Sequence, residues 1–62
     1  MNVKLKRIMM NLTQKQLAAK VGTSNVTIGK IENGKIDSVQ FGTLKKIAAA
    51  LNCSMNELFL SE

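Results

Sequence analysis

An all-α fold is what this sequence predicts, on three observations. Apolar residues recur at spacings of three and four, as in Phe41, Leu44, Ile47, Ala48 and Leu51. Nowhere does a run of β-branched residues alternate with period two. Helix-start and helix-stop residues divide the chain into short pieces, with Ser/Thr-x-x-Glu/Gln patterns at Thr13 and Ser54 and Asn or Gly between the apolar runs.

Five short helices fit that punctuation. The first is expected from about Asn2 to Met10, with Val3, Lys6, Arg7 and Met10 along one side and Leu5, Ile8 and Met9 adding apolar surface; Asn11 ends it in a left-handed conformation. The second starts at Thr13, whose hydroxyl caps the Gln16 N–H while the Gln16 side chain reaches back. It runs through Leu17, Ala18 and Val21 and stops at Gly22. The third is capped by Ser24, buries Ile28 and Ile31, and ends at Asn33-Gly34. A loop through Asp37 and Ser38 leads to the fourth, whose apolar stripe begins at Phe41 and which Asn52 closes. The fifth opens with Ser54 and Glu57 and carries Met55, Leu58 and Phe59. Met9, Met10, Met55 and Cys53 are read as core or near-core residues.

Sixty-two residues make a single domain, 1–62, with a small core. A composition of 45% hydrophobic and 21% charged residues is that of a globular chain, which argues against disorder. No apolar run approaches the ~18 residues of a membrane span, and MNVKLKRIMMN has no signal-peptide pattern, so the expected compartment is the cytoplasm and no membrane partner is expected. With one cysteine and no histidine, neither an internal disulfide nor a usual zinc site can form; no metal, cofactor or small-molecule ligand is expected. The four acids are scattered, which argues against a hydrolase, and no catalytic residues are assigned.

Charge is unevenly spread. Residues 1–35 carry seven lysines and arginines against Glu32 alone, hence +6, whereas residues 36–62 carry two lysines against three acids, hence −1. One half suits a polyanion; lysines that merely solubilise the domain are the plainer reading of charge alone. The break between Val21 and Ile28 bears on the choice. A helix ending at Gly22, a three-residue turn and a restart at Ser24 form a helix-turn-helix, which presents its second helix to the DNA major groove.

In "LTQKQLAAKVGTSNVTIGKIENGK" (residues 12 to 35) and "TLKKIAAALNCSMNELF" (43 to 59) the sequence resembles the phage-repressor-like helix-turn-helix regulators of the Cro and xenobiotic-response-element type. The Leu-Thr-Gln helix start, the alanine pair, the Val-Gly turn, the Ile-Glu-Asn-Gly end and the fourth-helix pattern carry the resemblance together. It implies a compact five-helix, lambda-repressor-like domain with the helix-turn-helix at helices two and three. Its partners would be an operator in double-stranded DNA and a second copy of the chain, and its role transcriptional regulation, expected here as repression.

If Ile28 and Ile31 point inward, a rotation of ~100° per residue turns Val26, Gly29, Lys30 and Asn33 outward, with Asn25 at the leading tip and Thr27 on a flank. Asn25, Val26, Gly29 and Lys30 are the candidate base-contacting residues. An asparagine amide matches adenine N6 and N7, a lysine matches guanine O6 and N7, and valine suits a thymine methyl. Gly29 costs about 1 kcal/mol of helix propensity against alanine, and it either permits close approach to DNA or has no role. Gln14, Ser24, Thr27, Asn33 and Lys35 are the candidate phosphate contacts, with capping the first task of Ser24. The resemblance implies that Gln14 holds a phosphate and braces Asn25, and that Arg7 and Glu32 form a structural ion pair. It also implies a dimer contact near the fifth helix. Three consecutive apolar residues, Leu58 to Leu60, cannot all be buried by one surface helix, so Met55, Phe59 and Leu60 are the candidate interface, against the alternative that Leu60 is merely exposed.

The alternative left open is a protein-interaction module, such as an antitoxin or regulator subunit that uses the same fold; a basic membrane-surface helix fits poorly, because the first helix is too short and its apolar faces are needed for the core.

Overall fold

Four helices form because four local stop signals cut the chain, and each stop is made the same way. In the computed structural model, which describes residues 2–60, α1 spans Val3–Met9, α2 Gln14–Val21, α3 Asn25–Glu32 and α4 Phe41–Ala50. After each helix one residue is left-handed: Asn11 (φ 58°), Gly22 (φ 76°), Gly34 (φ 79°) and Asn52 (φ 55°). The next N–H then bonds back to the carbonyl five residues earlier, Leu12 to Arg7, Thr23 to Ala18, Lys35 to Lys30 and Cys53 to Ala48, at 2.9–3.1 Å. This closure satisfies carbonyls that the helix end would otherwise orphan. Glycine and asparagine stand at these positions because they tolerate positive φ at least cost.

The starts are equally local. Thr13 and Gln16 form the full capping box at 3.0 and 2.8 Å, Ser24 accepts from the Thr27 N–H at 3.2 Å, and Ser54 and Glu57 bond reciprocally at 3.0 and 3.1 Å. The expected fifth helix is a single π-helical turn, Asn56–Leu60. Asn2 ties this turn to the start of α1, its backbone N–H donating to the Leu58 carbonyl at 3.3 Å and its side-chain amide to that of Glu57 at 3.4 Å.

The core is assembled from one stripe of each helix. Leu17, Ile28, Ile31, Ile47, Leu58 and Val3 are fully buried, and Ala18, Val21, Leu44, Ala48 and Leu51 complete the cluster. Helix α2 packs against both α3 and α4, so α3 is held by α2 behind it and by α1 at its side. Cys53, Met55 and Phe59 pack half-buried on the edge of the core.

Three expectations are corrected. Met9 and Met10 are exposed, at 66% and 42%, because α1 turns Val3 and Arg7 inward and leaves no core surface for its opposite side. Phe41 is also exposed, because the α4 stripe starts one turn later at Leu44; its ring instead lies 5.8 Å from the Lys45 ammonium, a cation–π contact. No helix among the described residues is long and apolar enough to cross a membrane.

Candidate nucleic-acid interface

The turn between α2 and α3 decides which side chains face outward. The left-handed Gly22 ends α2, Thr23 follows, and Ser24 in an extended conformation (φ −98°, ψ 156°) restarts the chain as α3. With Ile28 and Ile31 both at 0% exposure, the opposite face of α3 is solvent-facing: Asn25, Val26, Lys30 and Asn33 are exposed and Gly29 is half-buried among them. An amide, an isopropyl group and an ammonium are thus presented together on one short rigid face. A Cβ added at Gly29 would meet only the Gln14 amide nitrogen, at 3.9 Å, an ordinary contact, so crowding within the domain is not what keeps glycine there.

The polar residues around this face are differently employed. Ser24 Oγ caps Thr27 and lies 3.1 Å from the Thr27 hydroxyl, so both hydroxyls are engaged with each other in the free protein. Lys35 is exposed just past the Gly34 turn.

Among the described residues Gln14 makes no hydrogen bond to Asn25. Its amide nitrogen donates to Glu32 Oε1 at 3.0 Å, joining the first turn of α2 to the last turn of α3. Glu32 also accepts from Arg7, whose Nε donates to Oε2 at 2.6 Å and Nη2 to Oε1 at 3.4 Å, while Nη1 donates to the Leu12 carbonyl at 2.7 Å. The two charged side chains are 10% and 4% exposed. Burial by itself raises the Glu32 pKa; the hydrogen bonds from Arg7 and Gln14, with the charges of Arg7 and Lys4, more than reverse this and hold the carboxyl below the usual glutamate range. One network therefore locks α1, α2 and α3 together at the base of the exposed face.

The pairing also sharpens the charge distribution. The one acid of residues 1–35 is withdrawn from the surface together with Arg7, leaving Lys4, Lys6, Lys15, Lys20, Lys30 and Lys35 with no exposed acid in that half of the sequence.

Sequence reasoning missed a second polar feature. Thr23, Thr27, Lys30, Ser38, Gln40 and Thr43 line a groove between α3 and the start of α4. The α4 N-cap, Gln40, makes no side-chain cap bond, so first-turn N–H groups of that helix stand at the groove uncapped by any side chain. A signal was available in the hydroxyl and amide residues Ser38, Gln40 and Thr43, which open α4 without an acid.

Compared with known proteins, residues 3–58 match the model of the helix-turn-helix family. Over 47 residues the chain is 47% identical to an uncharacterized HTH-type transcriptional regulator, RghRB, of Bacillus subtilis (strain 168). That alignment covers 76% of this chain and 34% of the relative, so the chain spans about a third of that relative's length. No solved structure matches.

Proposed function

The chain belongs to the Cro/C1-type helix-turn-helix family, and from that premise we propose that it is a sequence-specific DNA-binding transcriptional regulator, a repressor that occupies a near-palindromic operator as a symmetric dimer. The observation that carries the reading is the outward face of α3, where Asn25, Val26 and Lys30 are exposed beside a half-sequence whose only acid is buried in an ion pair. In this reading α3 lies in the major groove. Asn25, Val26 and Lys30 contact base edges across the opening left by Gly29, while Asn33 and Lys35 meet the backbone. Gln14, Ser24 and Thr27, at the first turns of α2 and α3, face phosphates with the positive ends of their helices. No catalytic step is proposed, and the site of action is the cytoplasm.

Selection of bound duplexes from a random pool tests the reading. The wild type should enrich two inverted half-sites whose centres lie about one helical turn, ~34 Å, apart. Asn25→Ala should lose about 1–3 kcal/mol of discrimination at one base pair of each half-site and keep the preferences elsewhere. No enrichment by the wild type would overturn the function, and an unchanged ranking of bases in Asn25→Ala would remove Asn25 as a reader.

The dimer is proposed to form around Leu60, which is 74% exposed, with the half-buried Phe59 and Met55 beside it. Paired across a two-fold axis, these side chains make a self-complementary apolar contact. Sedimentation across a concentration series should show the wild type associating and Leu60→Asp remaining a monomer. A wild type that stays monomeric, or a variant that associates equally, would remove this interface.

A further inference from the structure

The chain contains six asparagines, and only Asn33 is followed by glycine. An Asn-Gly step reacts with itself, because the glycine carries no side chain to keep its nitrogen from the asparagine carbonyl. The Gly34 nitrogen bonds to Asn33 Cγ, the Cγ–Nδ2 bond breaks, and Nδ2 leaves as ammonia with the proton of the Gly34 N–H. Water then opens the five-membered imide at either carbonyl, giving aspartate or isoaspartate. Solvent water is the only co-reactant.

The helix stop itself supplies this step, since it uses glycine at 34 for a positive φ of 79°. Asn33 is exposed, and among the described residues its side-chain amide makes no hydrogen bond. In the closed helix end its ψ of 7° turns the Gly34 nitrogen away from Cγ, and the Gly34 N–H donates to the Ile31 carbonyl at 3.0 Å. The imide therefore forms from an opened last turn of α3. Such an opening lies low in free energy, because helix ends fray and the stop is closed by N–H bonds from Gly34 and Lys35. The other five asparagines lack the glycine, and Asn2 is also tied through its amide to the Glu57 carbonyl at 3.4 Å.

The product changes the character of the outward face of α3. Glu32, next to Asn33, is buried against Arg7, so residues 1–35 show no exposed acid. Deamidation places a carboxylate there, at a helix C-terminus, where a negative charge is unfavourable, and on the side proposed to meet phosphates. Isoaspartate also lengthens the backbone at the stop by one methylene.

We propose that Asn33 is a deamidation site, and that its conversion is a slow, irreversible switch that turns the end of α3 anionic and weakens DNA binding. The site stands on the chemistry of the Asn-Gly step; its consequence rests on the DNA-binding reading. Bound DNA, by holding the last turn of α3 closed, slows the reaction.

Ageing the protein in warm, mildly alkaline buffer, with peptide mapping by mass spectrometry and isoaspartate detection, tests the site. Deamidation should accumulate at Asn33 before any of the other five asparagines, and Asn33→Gln should stay unmodified with the thermal melt of the wild type. Addition of a selected duplex should slow the reaction. The deamidated fraction, once separated, should bind that duplex more weakly and with a salt dependence flattened by about one for each protomer. Asn33→Asp should reproduce the loss without ageing. Modification first at another asparagine, or none at Asn33, would overturn the site. Equal binding by the intact and deamidated proteins, or by Asn33→Asp, would overturn the switch. Fresh protein that binds no duplex would overturn the DNA-binding reading and the switch with it, while the mass measurement still decides the site.

Discussion

Replacing Arg7 by alanine is expected to cost about 3–5 kcal/mol, the range for stripping one partner from a buried ion pair. A domain of 62 residues at 0.05–0.15 kcal/mol per residue has roughly 3–9 kcal/mol in total, so the variant should be largely unfolded or close to it. The loss is large because three bonds go at once, two to Glu32 and one to the Leu12 carbonyl, and because the abandoned carboxylate is 4% exposed. Arg7→Lys should rescue little, since a single ammonium cannot reproduce a planar fork that spans Glu32 and Leu12. By contrast, Arg7→Met/Glu32→Met should recover most of the stability, because no charge is left buried. Urea denaturation of the four proteins decides this; an Arg7→Ala variant within 1 kcal/mol of the wild type, or a double variant no better than the single, would show that the pair is not the clamp.

The same network sets an acid limit. Glu32 is held below the usual glutamate pKa, so it binds protons less readily folded than unfolded. Its contribution to stability is therefore fully present above the unfolded-state pKa of about 4.3 and is lost as pH falls through the lower folded value. Acid titration of the wild type should show stability declining below that range, and the Arg7→Met/Glu32→Met variant should decline less.

What the sequence made legible, and what it did not, follows the range of the interactions. Capping boxes and left-handed stops are local, and Thr13, Ser24, Ser54, Asn11, Gly22 and Asn52 act in the structure as their neighbours in sequence demand. The solvent exposure of Asn25, Val26 and Lys30 followed from Ile28 and Ile31 alone, since one buried pair fixes the rotation of a short helix. Orientation failed where a helix carries two apolar faces. Periodicity places Leu5, Ile8, Met9 and Met10 on α1 without saying which side meets the core, and the deciding contact is Arg7 with a carboxylate 25 residues away. Gln14 shows the same limit, because its bond to Glu32 depends on how α2 and α3 cross and on nothing near it in sequence. The terminal π turn reflects a competition that local rules do not rank: three consecutive apolar residues follow a strong capping box, and the core accepts Leu58 fully and Phe59 in part.

Binding to duplex DNA is expected to fall about a thousandfold between ~50 and ~200 mM salt. The estimate takes a dimer that sets Lys30, Lys35 and one further lysine of each protomer at phosphates, about six in all; counterion release then gives a log–log slope near −5. The burial of Glu32 supports a slope this steep, because an exposed acid among those lysines would repel phosphate and retain cations, whereas a paired carboxylate at 4% exposure does neither. Lys35→Ala should weaken all sequences alike and flatten the slope by about two for the dimer, one contact per protomer. Asn25→Ala should leave the slope unchanged while altering base preference, since an uncharged amide releases no counterion. Fluorescence anisotropy on a selected duplex at four or five salt concentrations separates these outcomes. A flat response in the wild type would mean that the lysines only solubilise the domain, and the function would then pass to the protein-interaction alternative.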